Sequence, residues 1–478
     1  IGQDCFDKSH YLSGSITIPS TVTNLGGSAF TQLPNLKEIT FAATDLSDYR
    51  GSLSNNTEPI TGIQKVTFAD GTKEIPAKTC NYLYQLKTVV FPDTVEVINA
   101  NAFSQCKALE SIELPENAAL KEIQNNAFTN ANIKSITIPN NVTKIGDSAF
   151  LGCSQLENIT ITPKSKLQSI GTNALCATKV KSLYIPKGVT SWGQYAFGGN
   201  AELTAVDLTA NNNTVTSGGS AFWTTRHGGH ENESDYALRI YYLSSEDAKD
   251  ALGSNAGYSI YAVTNGGTFK TLPEGNTTLA EPEKVGHKFA GWYTDAACTD
   301  GKELTAAPQA GQTYYAKWTV ADTDMVAGGY CGEDLTWKLY KNNTDATNQT
   351  YKLVIEGTGE MYDYAVSGSN IAPWRLDPLK MCENITEISL PEGITSIGNN
   401  AFLKAGISTL TIPNGVTSIG ENAIWNCVDP TDGNVSNVDI TLPSSLKEIK
   451  TTGIFGKFTL NLNNENTSFA TTDGGKIL

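Results

Sequence analysis

One motif recurs along almost the whole chain, and it constrains the fold more than any other feature of the sequence. A clear copy is residues 132–153, NIKSITIPNNVTKIGDSAFLGC. Isoleucines alternate with small polar residues over 135–138, which is typical of a half-buried β-strand. Pro139 ends that strand because it has no N–H to donate. A single copy is too small to bury its own apolar face, so the copies must stack as coils of a solenoid.

The coils can be counted by one slot of the motif, which is Phe150 in this copy. We call it the aromatic slot and expect it at the centre of the core, within a short helical turn. Its successive occupants are Phe6, Phe30, Cys80, Phe103, Phe128, Phe150, Leu175, Phe197 and Phe222. From Phe103 onward they lie alternately 25 and 22 residues apart, so the pattern repeats every 47 residues. This favours duplication of a two-coil unit over chance insertion, with the extra residues in the loops.

The repeated strings carry a resemblance to a known family. SITIPNNVTKIGDSAF, SLYIPKGVTSWGQYAF and TLTIPNGVTSIGENAI resemble the BspA-type leucine-rich repeat, which is known from bacterial surface and secreted proteins. The resemblance covers most of the sequence. It implies a predominantly β fold, in which two leucine-rich repeat solenoids at residues 1–264 and 320–478 are separated by a small β-grasp-like domain at 265–319.

The segments between the repeats support this division. The first solenoid is predicted to end in a strand–helix–strand cap over 238–263, with Ser245 as the N-cap of the helix over 245–252. In 265–319, the strings GWY and YAKW resemble the Listeria–Bacteroides repeat, also called the internalin B-repeat, which implies the β-grasp-like fold. A hairpin cap over 327–375 is expected to cover the first coil of the second solenoid.

The charge balance limits the kinds of partner. Carboxylates number 49 against 34 lysines and arginines, a net charge of −15. Such a protein is unsuited to nucleic acid and to anionic membranes. No apolar run approaches the roughly 20 residues that span a bilayer. We therefore expect a monomeric protein outside the cell or on its surface, without membrane insertion. Because Ile1 lies inside a copy of the motif, further residues are expected upstream.

The nine cysteines follow the repeat rather than a disulfide pattern. Cys106, Cys153, Cys382 and Cys427 share the slot three residues after the aromatic slot, and Cys80 occupies the aromatic slot itself. Free cysteine behaves as a small buried hydrophobe. The register therefore predicts that these cysteines pack in the core, rather than forming disulfides or binding metal.

The sequence contains few candidates for catalytic or metal-binding residues. The four histidines include one pair resembling metal ligands, His227 and His230, with Glu231, Glu233 and Asp235 nearby. Zinc needs a held framework of ligands, whereas this Gly-Gly loop offers two nitrogens, so a solvated loop is favoured over a metal site. The sequence has no G-x-S-x-G, Walker or H-E-x-x-H motif. We predict no catalytic residues, no cofactor, no metal and no enzyme activity.

The remaining candidates for a functional role are residues on the surface of the predicted solenoid. One residue of each strand, between two inward positions, is predicted to point outward, and we call this the outward slot. Along the first solenoid its occupants are Thr17, Thr40, Thr67, Val90, Glu113, Thr137, Thr160, Tyr184 and Asp207. Threonine also suits exposed strands without any binding role. The candidate binding residues are Thr137, Thr160, Tyr184 and Asp207, with Trp192 and Trp223 nearby in sequence, because tyrosine and tryptophan commonly anchor interfaces.

Two functions compete at this stage. The resemblance implies a bacterial surface or secreted adhesion protein that binds a protein partner, on a host or on another cell, through extended repeat surfaces. The alternative is a non-catalytic binding module of a larger surface enzyme or glycan-processing protein. A carbohydrate-binding protein is a third reading that rests on the exposed aromatic residues alone. The sequence leaves the identity of the ligand open.

Overall fold

The computed structural model describes residues 1–27, 29–45, 52–54, 62–114, 118–210, 216–217, 221–222, 238–242, 259–269, 278–342, 349–367, 371–375, 382–425, 427, 435 and 437–462. Backbone contacts divide the protein into two units, residues 1–283 with 289–317 and residues 284–288 with 318–478. Strands dominate both units. Within the described residues the helices are the 3₁₀ turns Pro373–Arg375 and Cys382–Asn384.

In the first unit most coils contribute one longer strand and one strand of two residues. In sequence order the strands up to residue 320 are β1 (Gly14–Ile18), β2 (Leu36–Phe41), β3 (Lys65–Phe68), β4 (Glu74–Ile75), β5 (Thr88–Val90), β6 (Val97–Ile98), β7 (Glu122–Ile123), β8 (Ser135–Ile138), β9 (Lys144–Ile145), β10 (Asn158–Ile161), β11 (Ser169–Ile170), β12 (Ser182–Tyr184), β13 (Ser191–Trp192), β14 (Ala205–Asp207), β15 (Thr216–Ser217), β16 (Leu238–Tyr242), β17 (Ser259–Val263), β18 (His287–Tyr293) and β19 (Thr313–Val320). The short strands form one parallel sheet, β4-β6-β7-β9-β11-β13-β15. We call the coils of residues 1–222 the first stack.

The longer strands stack in register, coil upon coil. They pair in parallel as β1-β2-β3-β5, as β8-β10 and as β12-β14-β16-β17. Thr40 of β2 lies opposite Thr17 of β1 and Thr67 of β3. In β8 and β10 exposed residues alternate with buried ones. Strands β8 and β10 therefore turn one set of side chains to the core and the other to solvent, as the alternation in the sequence predicts.

The core of the first stack is a column of slot residues. The rings of Phe103 and Phe128 lie 5.4 Å apart between centroids, and those of Phe128 and Phe150 lie 5.3 Å apart, with 9° between planes in both pairs. Cys80 and Leu175 are buried at the same slot. The prediction that the aromatic slots line up inside the stack is confirmed. Stacked aromatic pairs add stabilisation beyond the apolar area that they bury.

The turn around the aromatic slot is not helical, contrary to the expectation from sequence. Residues two before and two after the slot have positive φ, as at Ser148 (55°) and Gly152 (68°) around Phe150. With this alternation, the N–H groups of Ser148, Phe150 and Gly152 all donate to carbonyls of the next coil, at 2.7, 2.8 and 2.9 Å. A helix would direct these groups along its own axis. The turn instead works as a third hydrogen-bonded row between coils.

Asparagine and glycine recur at these positive-φ positions because they tolerate this conformation best. The positions two before the slot are Lys78, Asn101, Asn126, Ser148, Asn173 and Tyr195, and those two after it are Tyr82, Gln105, Asn130, Gly152, Ala177 and Gly199. The recurrence of Asn and Gly in the motif is therefore a signal of backbone conformation.

The segment after β17 continues the sheet of the first unit. Strand β19 pairs in parallel with β17, Ala262 opposite Tyr314. Contacts accordingly group residues 265–283 and 289–317 with the first unit, and this pairing joins the segment to β17. An independent β-grasp-like fold for 265–319 stays a prediction, and the helix over 245–252 falls outside the described residues.

The second unit opens with a long antiparallel arrangement and continues in coils. Its strands are β20 (Met325–Tyr330), β21 (Gly332–Lys341), β22 (Tyr351–Met361), β23 (Ile385–Ser389), β24 (Ile394–Ile397), β25 (Thr409–Thr411), β26 (Ser418–Ile419), β27 (Ile424–Trp425), β28 (Asn437–Leu442), β29 (Glu448–Ile449), β30 (Ile454–Phe455) and β31 (Lys457–Leu462). Strand β22 pairs antiparallel with β21 and in parallel with β23 and β24. The hairpin β21–β22 thus covers the start of this second stack, and Trp374 packs beneath it on Phe402 at 6.2 Å between ring centroids.

All nine cysteines are free, and six of them are buried. The thiols of Cys106 and Cys153 donate to the carbonyls of Cys80 and Phe128 in the preceding coil, at 3.1 and 3.0 Å. Burial raises the pKa of the Cys153 thiol to about 12. The prediction of core packing is confirmed for Cys80, Cys106, Cys153, Cys382 and Cys427.

Titration with a thiol reagent such as DTNB should separate the nine cysteines. Exposed Cys5 is expected to react at once, half-buried Cys176 and Cys298 more slowly, and the six buried thiols only in denaturant, because the reactive thiolate is suppressed by burial. Stoichiometry with and without urea, with peptide mapping of the labelled sites, measures this. Labelling of Cys106 or Cys153 in the native protein at the rate of Cys5 would contradict the packing described.

Candidate binding surface

The outward side of β8 and β10 carries no charged side chain. Ser135 and Thr137 of β8 lie directly opposite Asn158 and Thr160 of β10, and a bridge from Ser111 extends the row by one coil. All five side chains are exposed. We call these five residues, Ser111, Ser135, Thr137, Asn158 and Thr160, the neutral face.

Thr137 and Thr160 therefore lie together and exposed, as the sequence predicts for the outward slot. Ser111, Ser135 and Asn158 were not among the candidate residues. They lie two residues before the outward slot, so period two places them on the same side of the sheet. That signal was present in the sequence, since each follows Glu110, Lys134 or Glu157 in the motif.

Tyr184, Asp207 and Tyr241 continue the outward slot from β12 to β14 and β16. Tyr184 is half-buried and packs against the core cluster. Asp207 is buried, with 2% of its surface exposed, so the prediction of an exposed Asp207 is wrong. Its Oδ1 accepts hydrogen bonds from the backbone N–H and the hydroxyl of Thr209, at 2.8 and 2.7 Å.

The outward side of the sheet is covered here by a later segment of the protein. Tyr241 packs on Phe269, 4.7 Å between ring centroids, and its hydroxyl accepts the backbone N–H of Ala280 at 2.9 Å. The indole N–H of Trp292 donates to the carbonyl of Ala280 at 3.1 Å. Outward residues of β14 and β16 are consequently buried, which no local pattern around Asp207 could reveal.

Trp192 faces the core, so its prediction as a surface anchor is also wrong. It is the second residue of β13, where the neighbouring short strand β11 has Ile170 in register. Only 2% of Trp192 is exposed, and its ring meets those of Phe197 and Phe222 at 5.7 and 6.3 Å between centroids. The indole fills the inward slot that isoleucine takes in other coils. Trp223 lies outside the described residues.

Burial raises the pKa of Asp207 to about 6, although its hydrogen bonds to Thr209 act in the opposite direction. In the unfolded state the carboxyl titrates near its ordinary value of about 3.9. The folded state therefore takes up a proton first as the pH falls from 7 to 4. Protonation in that window stabilises the fold, because lowering the pH stabilises the state that binds more protons, which here is the native state.

Asp207→Asn is expected to remove this gain because an amide resembles the protonated carboxyl and still accepts the bonds from Thr209. The free energy of unfolding of the wild type should rise relative to the variant by about 2 kcal/mol between pH 7 and pH 4. Urea titrations at pH 7, 6, 5 and 4 measure the difference, with Asp93→Asn at an exposed site as the matched control. Parallel pH profiles for the wild type and Asp207→Asn would contradict the assignment.

The described residues hold no group of three or more His, Cys, Asp or Glu side chains arranged to bind a metal ion. The His227 and His230 loop falls outside those residues. Within the same part of the protein, no helix combines the length and the apolarity that crossing a lipid bilayer requires.

Stacked parallel strands, a row of short turns and an interior column of slot residues define a repeat protein. The profile of the BspA type leucine rich repeat region matches in six copies, over residues 1–71, 73–204 and 378–431. These residues make up more than half of the sequence, and the chain belongs to the BspA-type leucine-rich repeat family. The matches leave out 205–377, so the resemblance of 265–319 to the Listeria–Bacteroides repeat stays a prediction.

Several solved structures are similar to this protein. A leucine-rich repeat protein from Bacteroides ovatus is 19% identical over 91% of this sequence and 85% of its own, with a TM-score of 0.26. A leucine rich cell surface protein from Faecalibacterium prausnitzii is 15% identical over 98% of this sequence and 84% of its own, with a TM-score of 0.24. The pneumococcal vaccine antigen PcpA is 12% identical over 98% and 83%, with a TM-score of 0.23. No curated protein sequence matches.

Proposed function

We propose that the protein is a bacterial cell-surface or secreted adhesion protein that binds a protein partner on a host or a neighbouring cell. In this proposal two repeat solenoids present extended surfaces, and the β-grasp-like segment at 265–319 lies between them in sequence. The protein acts as a monomer, without cofactor, catalysis, nucleic acid binding or membrane insertion. Membership of the BspA-type leucine-rich repeat family supports a role in binding.

The observation that carries the proposal is the exposed outward side of β8 and β10. Thr137 and Thr160 lie in register there, and no described segment packs over them, whereas the outward side of β16 is covered by Phe269 and Ala280. Repeat proteins use extended surfaces of this kind for binding. The remaining candidate of the outward slot, half-buried Tyr184, lies in the next coil along the same slot.

The test is capture of partners from extracellular matrix and epithelial surface extracts on the whole immobilised protein. The wild type is expected to retain specific proteins. The double variant Thr137→Arg, Thr160→Arg is expected to lose them, because two long charged side chains block close approach to the neutral face. The same pair of changes at Thr143 and Thr190, on the short-strand side, is the matched control. Failure to retain any protein, or equal retention by the blocked variant, would contradict the proposal.

A further inference from the structure

We propose that the neutral face recognises an uncharged glycan attached to the partner protein. This inference rests on the proposed function and names the chemistry at the same surface. The five side chains have no hydrogen-bond partner within the described residues. Elsewhere in the first stack hydroxyls bridge coils, as Thr129 does to the carbonyl of Ser148 at 2.7 Å and Thr204 to that of Lys181 at 2.9 Å. The hydroxyls of the neutral face make no such bridge between coils within the described residues.

The spacing of these groups suits a ligand rich in hydroxyls. Neighbouring strands lie about 4.8 Å apart, and residues two apart on one strand lie about 6.6 Å apart. Ser135, Thr137, Asn158 and Thr160 occupy the corners of one such rectangle. A hydroxyl both donates and accepts, and an amide side chain offers both functions too. A sugar ring presents the same mixed donors and acceptors at comparable density, without charge.

The electrostatics of the surroundings disfavour an acidic ligand. The charged residues beside the neutral face form ion pairs. The Nζ of Lys134 lies 2.6 Å from a carboxylate oxygen of Glu110, and the Nζ of Lys181 lies 2.9 Å from one of Glu157. The exposed carboxylate of Glu113 lies one coil from Thr137 in the outward slot. An acidic glycan would be repelled there, and a basic ligand meets a single carboxylate.

The side chains of the neutral face also favour sugar over a bare polypeptide surface. Protein interfaces depend on a few large anchors such as Trp, Tyr and Arg, and none of the five residues is of that type. Small polar side chains on a flat sheet allow a ligand to lie close along several strands. Contacts that are weak singly add up when one glycan engages neighbouring coils together.

The experiment compares binding of the whole protein to immobilised neutral N-linked and O-linked glycans and to their sialylated counterparts. Thr137→Val with Thr160→Val removes two hydroxyls while keeping β-branched residues suited to strands. Thr143→Val with Thr190→Val is the matched control on the short-strand side. The wild type and the control are expected to bind a neutral glycan and to bind its sialylated form less, and the face variant is expected to lose at least tenfold in affinity. No binding to any neutral glycan, preference for the sialylated forms or unchanged binding by the face variant would overturn the inference.

A second arm separates this inference from the proposed function. Surface extracts are offered to the wild type before and after enzymatic removal of glycans from their proteins. Capture that disappears with the glycans supports the inference. Capture that survives removal of the glycans supports the proposed binding of a protein partner and overturns glycan recognition. An absence of capture in both samples overturns both the proposed function and the glycan inference.

Discussion

Phe128→Ala is expected to lower the free energy of unfolding of the first stack by about 3–5 kcal/mol, the usual range for a large aromatic residue lost from a core. Phe128 is fully buried between Phe103 and Phe150, with its ring stacked on both. Alanine leaves a cavity that spans two coil interfaces. In a repeat protein those interfaces supply the coupling between coils, so the loss should uncouple the stack at this point.

Hydrogen exchange on the whole protein can measure this effect locally. Amides of β6 and β9, in the coils on the two sides of Phe128, are expected to exchange faster in the variant, while amides of β21 and β22 in the second unit keep their rates. Urea unfolding followed by circular dichroism gives the change in free energy. Val90→Ala, at an outward position that is 41% exposed, is the control with an expected loss below about 1 kcal/mol. A similar loss in both variants would contradict the central role of the column.

Gly193→Ala is expected to have the second largest effect, a loss of about 2–3 kcal/mol or more. A Cβ at this position would lie 2.2 Å from the backbone nitrogen of Thr172 and 2.5 Å from its Cα. Those atoms belong to the backbone of the preceding coil, so neither can swing aside as a flexible side chain would. The two coils must separate, and the hydrogen bond from Gly193 N–H to the carbonyl of Ile170, 2.8 Å long, must stretch.

Gly27→Ala provides the matched control because an added Cβ there meets no atom within 4 Å. The two variants make the same chemical change, so their difference in urea midpoint reports the close approach of coils at Gly193. A fall in midpoint for Gly193→Ala but not for Gly27→Ala is the expected result. Equal midpoints would show that the coils have room to spare at this position.

The repeated features were predictable from sequence because each coil shows them again. The alternation in 135–138 places Thr137 outward and its isoleucine neighbours inward, and the spacing of phenylalanines finds the interior column. The same logic applied to the cysteines, since their place in the repeat indicated packing. In these cases the same physical requirement, burial of one face, applies to every coil, so the corresponding pattern recurs many times in the sequence.

The failures share a different cause. Asp207 is covered through contacts of Tyr241 with Phe269 and Ala280, residues more than sixty positions further along the sequence, and no local pattern encodes them. Residue type makes Trp192 a surface candidate, whereas Ile170 in the neighbouring coil marks its slot as inward. The sequence predicts a helical turn around Phe150 because positive φ, as at Ser148, is not a usual preference of serine.

The turns around the aromatic slot separate two tasks within each coil. Their coil-to-coil bonds run from backbone N–H groups to backbone carbonyls, as do those of both sheets, so they do not depend on which side chain projects from the strand. Residues such as Thr137 and Thr160 can therefore diversify from one lineage to another while the backbone scaffold persists. In a repeat array of this type, the side chains of the outward surface can change during evolution while the backbone hydrogen bonds between coils stay the same.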